Sequence, residues 1–199
     1  DNETNGIYAG YVNATTTTND NTITITGDIE KSVLTGVFID ENGAHYNSNQ
    51  SANDHTLTID NNFKTNAATV AGAYAAESET AENGVINITG GTTDWEGIVY
   101  AGYSENGNAS GNTINVAADT IASKMTLSGT YNTGSDNVLN LAGNATFKAI
   151  NNFDAINFDK IDWINGGTVL SITNNSEEKA LANTNININS LNFAGGAEL

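Results

Sequence analysis

An all-β solenoid, a parallel β-helix of about five repeats with a C-terminal closing region, is the fold class this sequence predicts. Three observations carry that expectation. A strand motif built around one glycine occurs five times, an alternating apolar and polar strand follows each copy, and no stretch sustains a helical period. Strict alternation marks a strand with one buried face, and self-similarity at roughly 20–50 residues marks stacked coils.

The glycine motif reads Ile7-Tyr8-Ala9-Gly10-Tyr11, Val33-Leu34-Thr35-Gly36-Val37, Val70-Ala71-Gly72-Ala73-Tyr74, Val99-Tyr100-Ala101-Gly102-Tyr103 and Thr126-Leu127-Ser128-Gly129-Thr130-Tyr131. Its successive glycines fall 26, 36, 30 and 27 residues apart. A small residue precedes each glycine, which suits a bend or a close approach of neighbouring backbones. The alternating strands are Asn21-Thr22-Ile23-Thr24-Ile25, His55-Thr56-Leu57-Thr58-Ile59, Gly84-Val85-Ile86-Asn87-Ile88, Asn112-Thr113-Ile114-Asn115-Val116 and Asn137-Val138-Leu139-Asn140-Leu141. The connection leading from each alternating strand to the next glycine is nearly constant in length, whereas the opposite connection varies. Such asymmetry is expected where insertions are confined to loops on one side of a coil.

Stacking the copies places Ile23, Leu57, Ile86, Ile114 and Leu139 in one buried file and Ile25, Ile59, Ile88, Val116 and Leu141 in the next. Between them an outward file reads Thr24, Thr58, Asn87, Asn115 and Asn140, residues able to form side-chain ladders. Asn-Gly pairs at Asn5-Gly6, Asn42-Gly43, Asn83-Gly84, Asn106-Gly107 and Asn165-Gly166 fall between strands, where type I′ turns are expected. Residues 1–145 are therefore assigned to the repeats. Residues 146–199, with Phe147, Ile150, Phe153, Ile156, Phe158, Ile161, Trp163 and Ile164, are read as closing coils containing two more strands, Thr168–Ile172 and Asn185–Ile188. They are expected to form a junction toward a C-terminal region outside this chain.

Composition narrows the function. Cysteine and proline are absent, so disulfides and thiolate metal sites are excluded. A net charge of −17 repels phosphate backbones and anionic lipid, so no nucleic acid partner is expected and membrane attachment would come only through an anchor outside this chain. Neither a membrane-spanning apolar run nor a signal-peptide pattern is present, and the chain is read as a mature segment or fragment of an exported protein.

The signature Val-Tyr-Ala-Gly-Tyr-Ser…Gly-Asn-Thr-Ile-Asn-Val, clearest at Val99–Val116, resembles the passenger repeats of bacterial autotransporter adhesins of the type V secretion class. The stretch from Asn152 to Ile172 is similar to the segment that follows such repeats. The resemblance implies a β-helical rod on the cell surface, anchored to the outer membrane or secreted, with no shared catalytic motif to carry over.

Enzymatic chemistry finds little support in the residues, and no enzyme activity or cofactor is expected. The two histidines, His45 and His55, sit in a loop and at a strand start. Arginine is absent and the lysines are dispersed, unlike a polysaccharide lyase. A glycosidase would need two carboxylates facing one cleft, and Asp40, Glu41, Asp54, Glu77, Glu79 and Glu82 are available for that alternative. Asp40-Glu41-Asn42-Gly43 lacks the ligand spacing of an EF-hand, so no metal site is assigned. The longest variable connection, residues 39–54, supplies the expected binding determinant: Asp40, Glu41, His45, Tyr46 and Asn47, an aromatic anchor among amides and carboxylates. The expected partner is a host surface protein or glycan, or another copy of the molecule; a purely structural stalk is the third reading.

Overall fold

The computed structural model describes residues 6–10, 22–25, 33–37, 51–52, 56–59, 69–75, 80–163, 167–174 and 181–193. Every regular element among them is a β-strand, and parallel strands stack coil upon coil into a β-solenoid.

The alternating segments build one wall. Thr22–Ile25, Thr56–Ile59, Val85–Ile88, Thr113–Val116, Val138–Leu141, Ala155–Phe158 and Asn185–Ile188 form a seven-stranded parallel sheet, here called the ladder sheet. Its register joins Ile23, Leu57, Ile86, Ile114 and Leu139 in one file, as the alternation requires, and Ile156 and Ile186 lengthen it. Ile86, Ile114, Leu139 and Ile156 are fully buried, while the side chain of Leu57 lies outside the described residues. A one-residue slip would turn this whole file to solvent, so burial fixes the register. On the outer face the expected side-chain ladder forms. Each asparagine amide donates to the preceding carbonyl oxygen, Asn115 to Asn87, Asn140 to Asn115, Asn157 to Asn140 and Asn187 to Asn157, all at 2.8 Å. These rungs are separated by 28, 25, 17 and 30 residues, so coils of very different length keep one register.

The glycine motifs build a second wall. Thr69–Ala75, Gly97–Ser104, Thr120–Thr130, Ala145–Asn151 and Leu170–Ile172 pair in parallel, and Gly6–Gly10 pairs separately with Val33–Val37. Here the register corrects the alignment drawn on glycines. Glycine does not stack on glycine: Gly10 faces Val37, and Gly102 faces Ala73 on one side and Thr130 on the other. The fully buried file Val70, Val99, Leu127 and Ile150 sets the alignment instead. Gly72, Gly102 and Gly129 each answer a local need for space. A Cβ on Gly72 would lie 2.6 Å from the Ala101 carbonyl oxygen, and one on Gly102 would collide with the Asn112 side-chain amide.

The corners also differ from expectation. At Asn83-Gly84 only Asn83 takes the left-handed conformation, with φ of 56°, whereas a type I′ turn needs it at two successive residues. A type I′ turn would reverse the chain into an antiparallel hairpin; a parallel coil needs only a change of direction. Gly111 (φ 67°) and Asp136 (φ 59°) repeat the same single-residue corner immediately before Asn112 and Asn137. Asparagine, aspartate and glycine are the residues that tolerate this conformation best.

Phe147, Ile150, Phe153, Ile156, Phe158 and Ile161 are buried, and strand pairing runs through residue 145 without interruption, from Val138–Leu141 onto Ala155–Phe158. In the last described coil the inward-file residues Ile186 and Ile188 are 53% and 52% exposed, and Leu191 and Phe193 are exposed beside them.

Candidate functional site

One corner of the solenoid gathers loops from successive coils. Ala81–Glu82 pairs in parallel with Ala109–Ser110, and Asn108 bridges to Thr133. Backbone bonds continue the stack: the Ala81 N–H donates to the Asn108 carbonyl at 2.9 Å and the Ala109 N–H to the Thr133 carbonyl at 2.8 Å. Side chains then fix the loop tips. The Ser104 hydroxyl oxygen accepts from the Gly107 N–H at 2.9 Å, the Asn132 amide donates to the Glu105 carbonyl at 3.1 Å, and the Thr133 hydroxyl donates to Asn108 Oδ1 at 2.9 Å. Ser51 and Ala52 enter the same region, pairing antiparallel with Ala75 and Tyr74.

The loop corner is held from inside by a row of strand-start residues. The Asn112 side chain is fully buried: its Oδ1 accepts from the Gly84 N–H at 2.8 Å, and its amide donates to the Ala81 carbonyl at 3.1 Å and to Asn137 Oδ1 at 3.0 Å. Asn137 repeats the arrangement, its amide reaching the Ala109 carbonyl at 2.7 Å and its Oδ1 accepting from the Asn112 N–H at 3.1 Å. Asp154 continues the row, accepting the Asn137 N–H on Oδ2 at 2.8 Å. Each side chain thus ties the strand start of its own coil to the previous coil and its loop, which rigidifies the loop bases.

Three tyrosines meet where the glycine-sheet strands lead into these loops. Tyr103 stacks on Tyr131 with ring centroids 4.3 Å apart, and Tyr100 stands edge-on to both, at 5.5 Å and 5.7 Å. Tyr131 is 48% exposed. The Tyr103 hydroxyl is pushed well above the ordinary tyrosine range, first by burial and then by neighbouring Tyr131 and Glu105, so it remains a neutral hydrogen-bonding group. Unfolded tyrosine ionises near 10.0, so above that pH the unfolded chain releases a proton that folded Tyr103 retains, and stability falls as pH rises. Melting curves from about pH 9 to about pH 11 should therefore show a steeper fall for the parent than for Tyr103→Phe. Parallel slopes would assign the fall to other groups. Beside Tyr131, a shallow groove is lined by Asn132, Thr133, Asn152, Asp154, Asn183 and Thr184, mostly uncharged amides and hydroxyls.

The expected determinant in residues 39–54 is placed only at Ser51 and Ala52; Asp40, Glu41, His45, Tyr46 and Asn47 lie outside the described residues, as do His55, Asp54, Glu77 and Glu79. Glu82 is described and exposed on the same corner. Among the described residues no three histidine, aspartate or glutamate side chains come together as metal ligands. The tyrosine cluster was not singled out from sequence, although Tyr100, Tyr103 and Tyr131 each belong to a glycine motif. The signal was the recurrence of tyrosine one or two residues from the motif glycine. No protein-family model matches the chain, and no curated protein or solved structure shows significant similarity to it.

Proposed function

We propose that this chain is the binding rod of a bacterial cell-surface adhesin, an autotransporter passenger that holds a host surface protein or glycan through loops at one corner of its solenoid. The observation that supports this reading most is the stacking of loops from successive coils beside the strands where Tyr100, Tyr103 and Tyr131 meet, with one ring half exposed. A rigid aromatic surface rimmed by amides and hydroxyls suits recognition at low entropic cost, because tyrosine has few rotatable bonds and the loop bases are already fixed. The net charge of −17 directs the choice toward neutral or cationic ligands.

The test uses beads coated with the chain, presented to a glycan array and to intact cells. Tyr131→Ala should lower binding about tenfold while leaving the melting temperature nearly unchanged, since the ring is half exposed. Replacing the segment 40–50 with Asn-Gly separates the contribution of the long loop, whose removal takes out no inward-file residue. If neither change affects binding, the loop corner is not the site.

A further inference from the structure

We propose that Asn106-Gly107, at the tip of the loop corner, is a self-modification site guarded by Ser104, where the Asn106 side-chain amide is converted to a carboxylate, while the fold holds the identical pair Asn83-Gly84 inert. The reaction belongs to the chain itself and stands whatever the corner binds.

The chemistry needs only water. The Gly107 backbone nitrogen attacks Cγ of Asn106, so that an N–Cγ bond forms and the Cγ–Nδ2 bond breaks; ammonia leaves with the proton that the Gly107 nitrogen gives up. Water then opens the cyclic imide at either carbonyl, giving aspartate or its isomer linked through the side chain. Glycine is the most permissive successor, because no side chain crowds the closing ring. By sequence alone every Asn-Gly pair is a candidate. What separates them is the surroundings of the attacking nitrogen.

At Asn83-Gly84 that nitrogen is out of reach. Gly84 is buried, its N–H donates to Oδ1 of Asn112 at 2.8 Å, and Asn112 has no solvent exposure. The backbone has no room to turn either: a Cβ on Gly84 would lie 2.3 Å from the Ala73 nitrogen and 2.5 Å from the Gly72 carbonyl carbon, so the peptide is packed against the strand Thr69–Ala75. At Asn106-Gly107 the surroundings are open. Asn106 is exposed in a bend, and its side chain makes no hydrogen bond among the described residues. The guard there is Ser104, whose buried hydroxyl oxygen accepts the Gly107 N–H at 2.9 Å and keeps that proton from base. A bond at a loop tip opens far more often than a packed core does.

The product changes the corner. A new carboxylate joins Glu105, whose charge already helps to raise the Tyr103 hydroxyl. In the isomer the main chain between Glu105 and Gly107 gains the Asn106 Cβ, although the carbonyls of both residues are bonded to the next coil, by the Asn132 amide at 3.1 Å and the Thr133 hydroxyl at 3.2 Å. Asn132 adjoins Tyr131, so the loosened tip lies beside the half-exposed ring.

The test holds the purified full chain in mildly alkaline buffer and maps it by mass spectrometry, with the isomer read by enzymatic methylation. Asn106 should convert with release of ammonia. Asn83 should stay an amide until urea unfolds the chain, so it also reports whether each variant remains folded. Ser104→Ala should quicken conversion of Asn106 about fivefold, the factor that one net hydrogen bond represents. Thr133→Val frees the Gly107 carbonyl and leaves its N–H bonded, so it should have a smaller effect. Conversion of folded Asn83 at the rate of Asn106 would overturn the proposal, as would an Asn106 that reacts only in urea. Equal acceleration by the two substitutions would overturn the guarding role, since general loosening of the tip would then account for both.

Discussion

Replacing Asn112 with alanine is expected to cost about 2–6 kcal/mol, because it strands two buried partners that each cost about 1–3 kcal/mol when left unpaired. The Gly84 N–H loses its side-chain acceptor and the Ala81 carbonyl loses the amide donor, while Asn137 Oδ1 loses one donor and keeps the Asn112 N–H. The partners belong to the preceding loop and to both neighbouring coils, so the loss falls on coil stacking as well as on one strand start. Asn112→Asp sharpens the test because it preserves shape. One carboxylate oxygen can still accept from Gly84, but the other faces the Ala81 carbonyl and Asn137 Oδ1, acceptor against acceptor, at a position with no solvent exposure. Burial would raise that carboxyl's pKa above its unfolded value, so the variant should be markedly less stable than the parent at pH 7 and should recover as pH falls and the group becomes a donor. Urea unfolding at two pH values reads both effects. An Asn112→Asp chain as stable as the parent at neutral pH would remove the internal row from the account of what holds the coils together. The outward ladder offers the contrast: Asn115→Ala leaves solvent-accessible partners and should cost about 1 kcal/mol or less.

The contrast between these asparagines shows what sequence could and could not reveal. Asn115 occupies a polar position in an alternating strand, so periodicity alone placed it outward, and recurrence of the same amide down the file indicated a ladder. Asn112 precedes the first alternating residue, where asparagine ordinarily signals a turn. Its inward direction follows the parity of Ile114 and Val116, but the left-handed residue at Gly111 and the backbone groups its side chain meets on neighbouring coils belong to the assembled stack, and periodicity carries no trace of those. For the same reason type I′ turns were the natural reading of Asn-Gly, although a coil corner needs only the asparagine to be left-handed. The glycine motif misled differently. A repeated glycine draws the eye as an alignment anchor, yet its side chain has no burial energy with which to set register; the apolar residues Val70, Val99 and Leu127 do. Trp95, buried in the core, belongs to no repeated pattern and could not be placed by repeat alignment. The tyrosine cluster joins residues 28 and more positions apart whose meeting depends on which coils are adjacent, so it emerges only once the stack is built.

Ile114→Ala is expected to cost about 2–5 kcal/mol and Ile186→Ala under about 1 kcal/mol, although the two isoleucines occupy the same file of the same sheet. Ile114 is fully buried between Ile86 and Leu139, so shortening it leaves a cavity that rigid neighbouring coils cannot close. Ile186 is 53% exposed and has a described strand partner on one side, Ile156, so truncation there removes contact on that side and exposes a surface water already reaches. Ile156→Ala supplies the intermediate arm: it is fully buried, yet one of its two file neighbours is the exposed Ile186. Stability of the three variants, measured by chemical unfolding, should therefore rank with burial and not with residue type, strand propensity or position in the motif. A small loss at Ile114 would sink the reading of this file as core. Equal losses at Ile114 and Ile186 would show that the last coil is covered in solution, by a strand that continues the aliphatic file where Ile186 and Ile188 now face water.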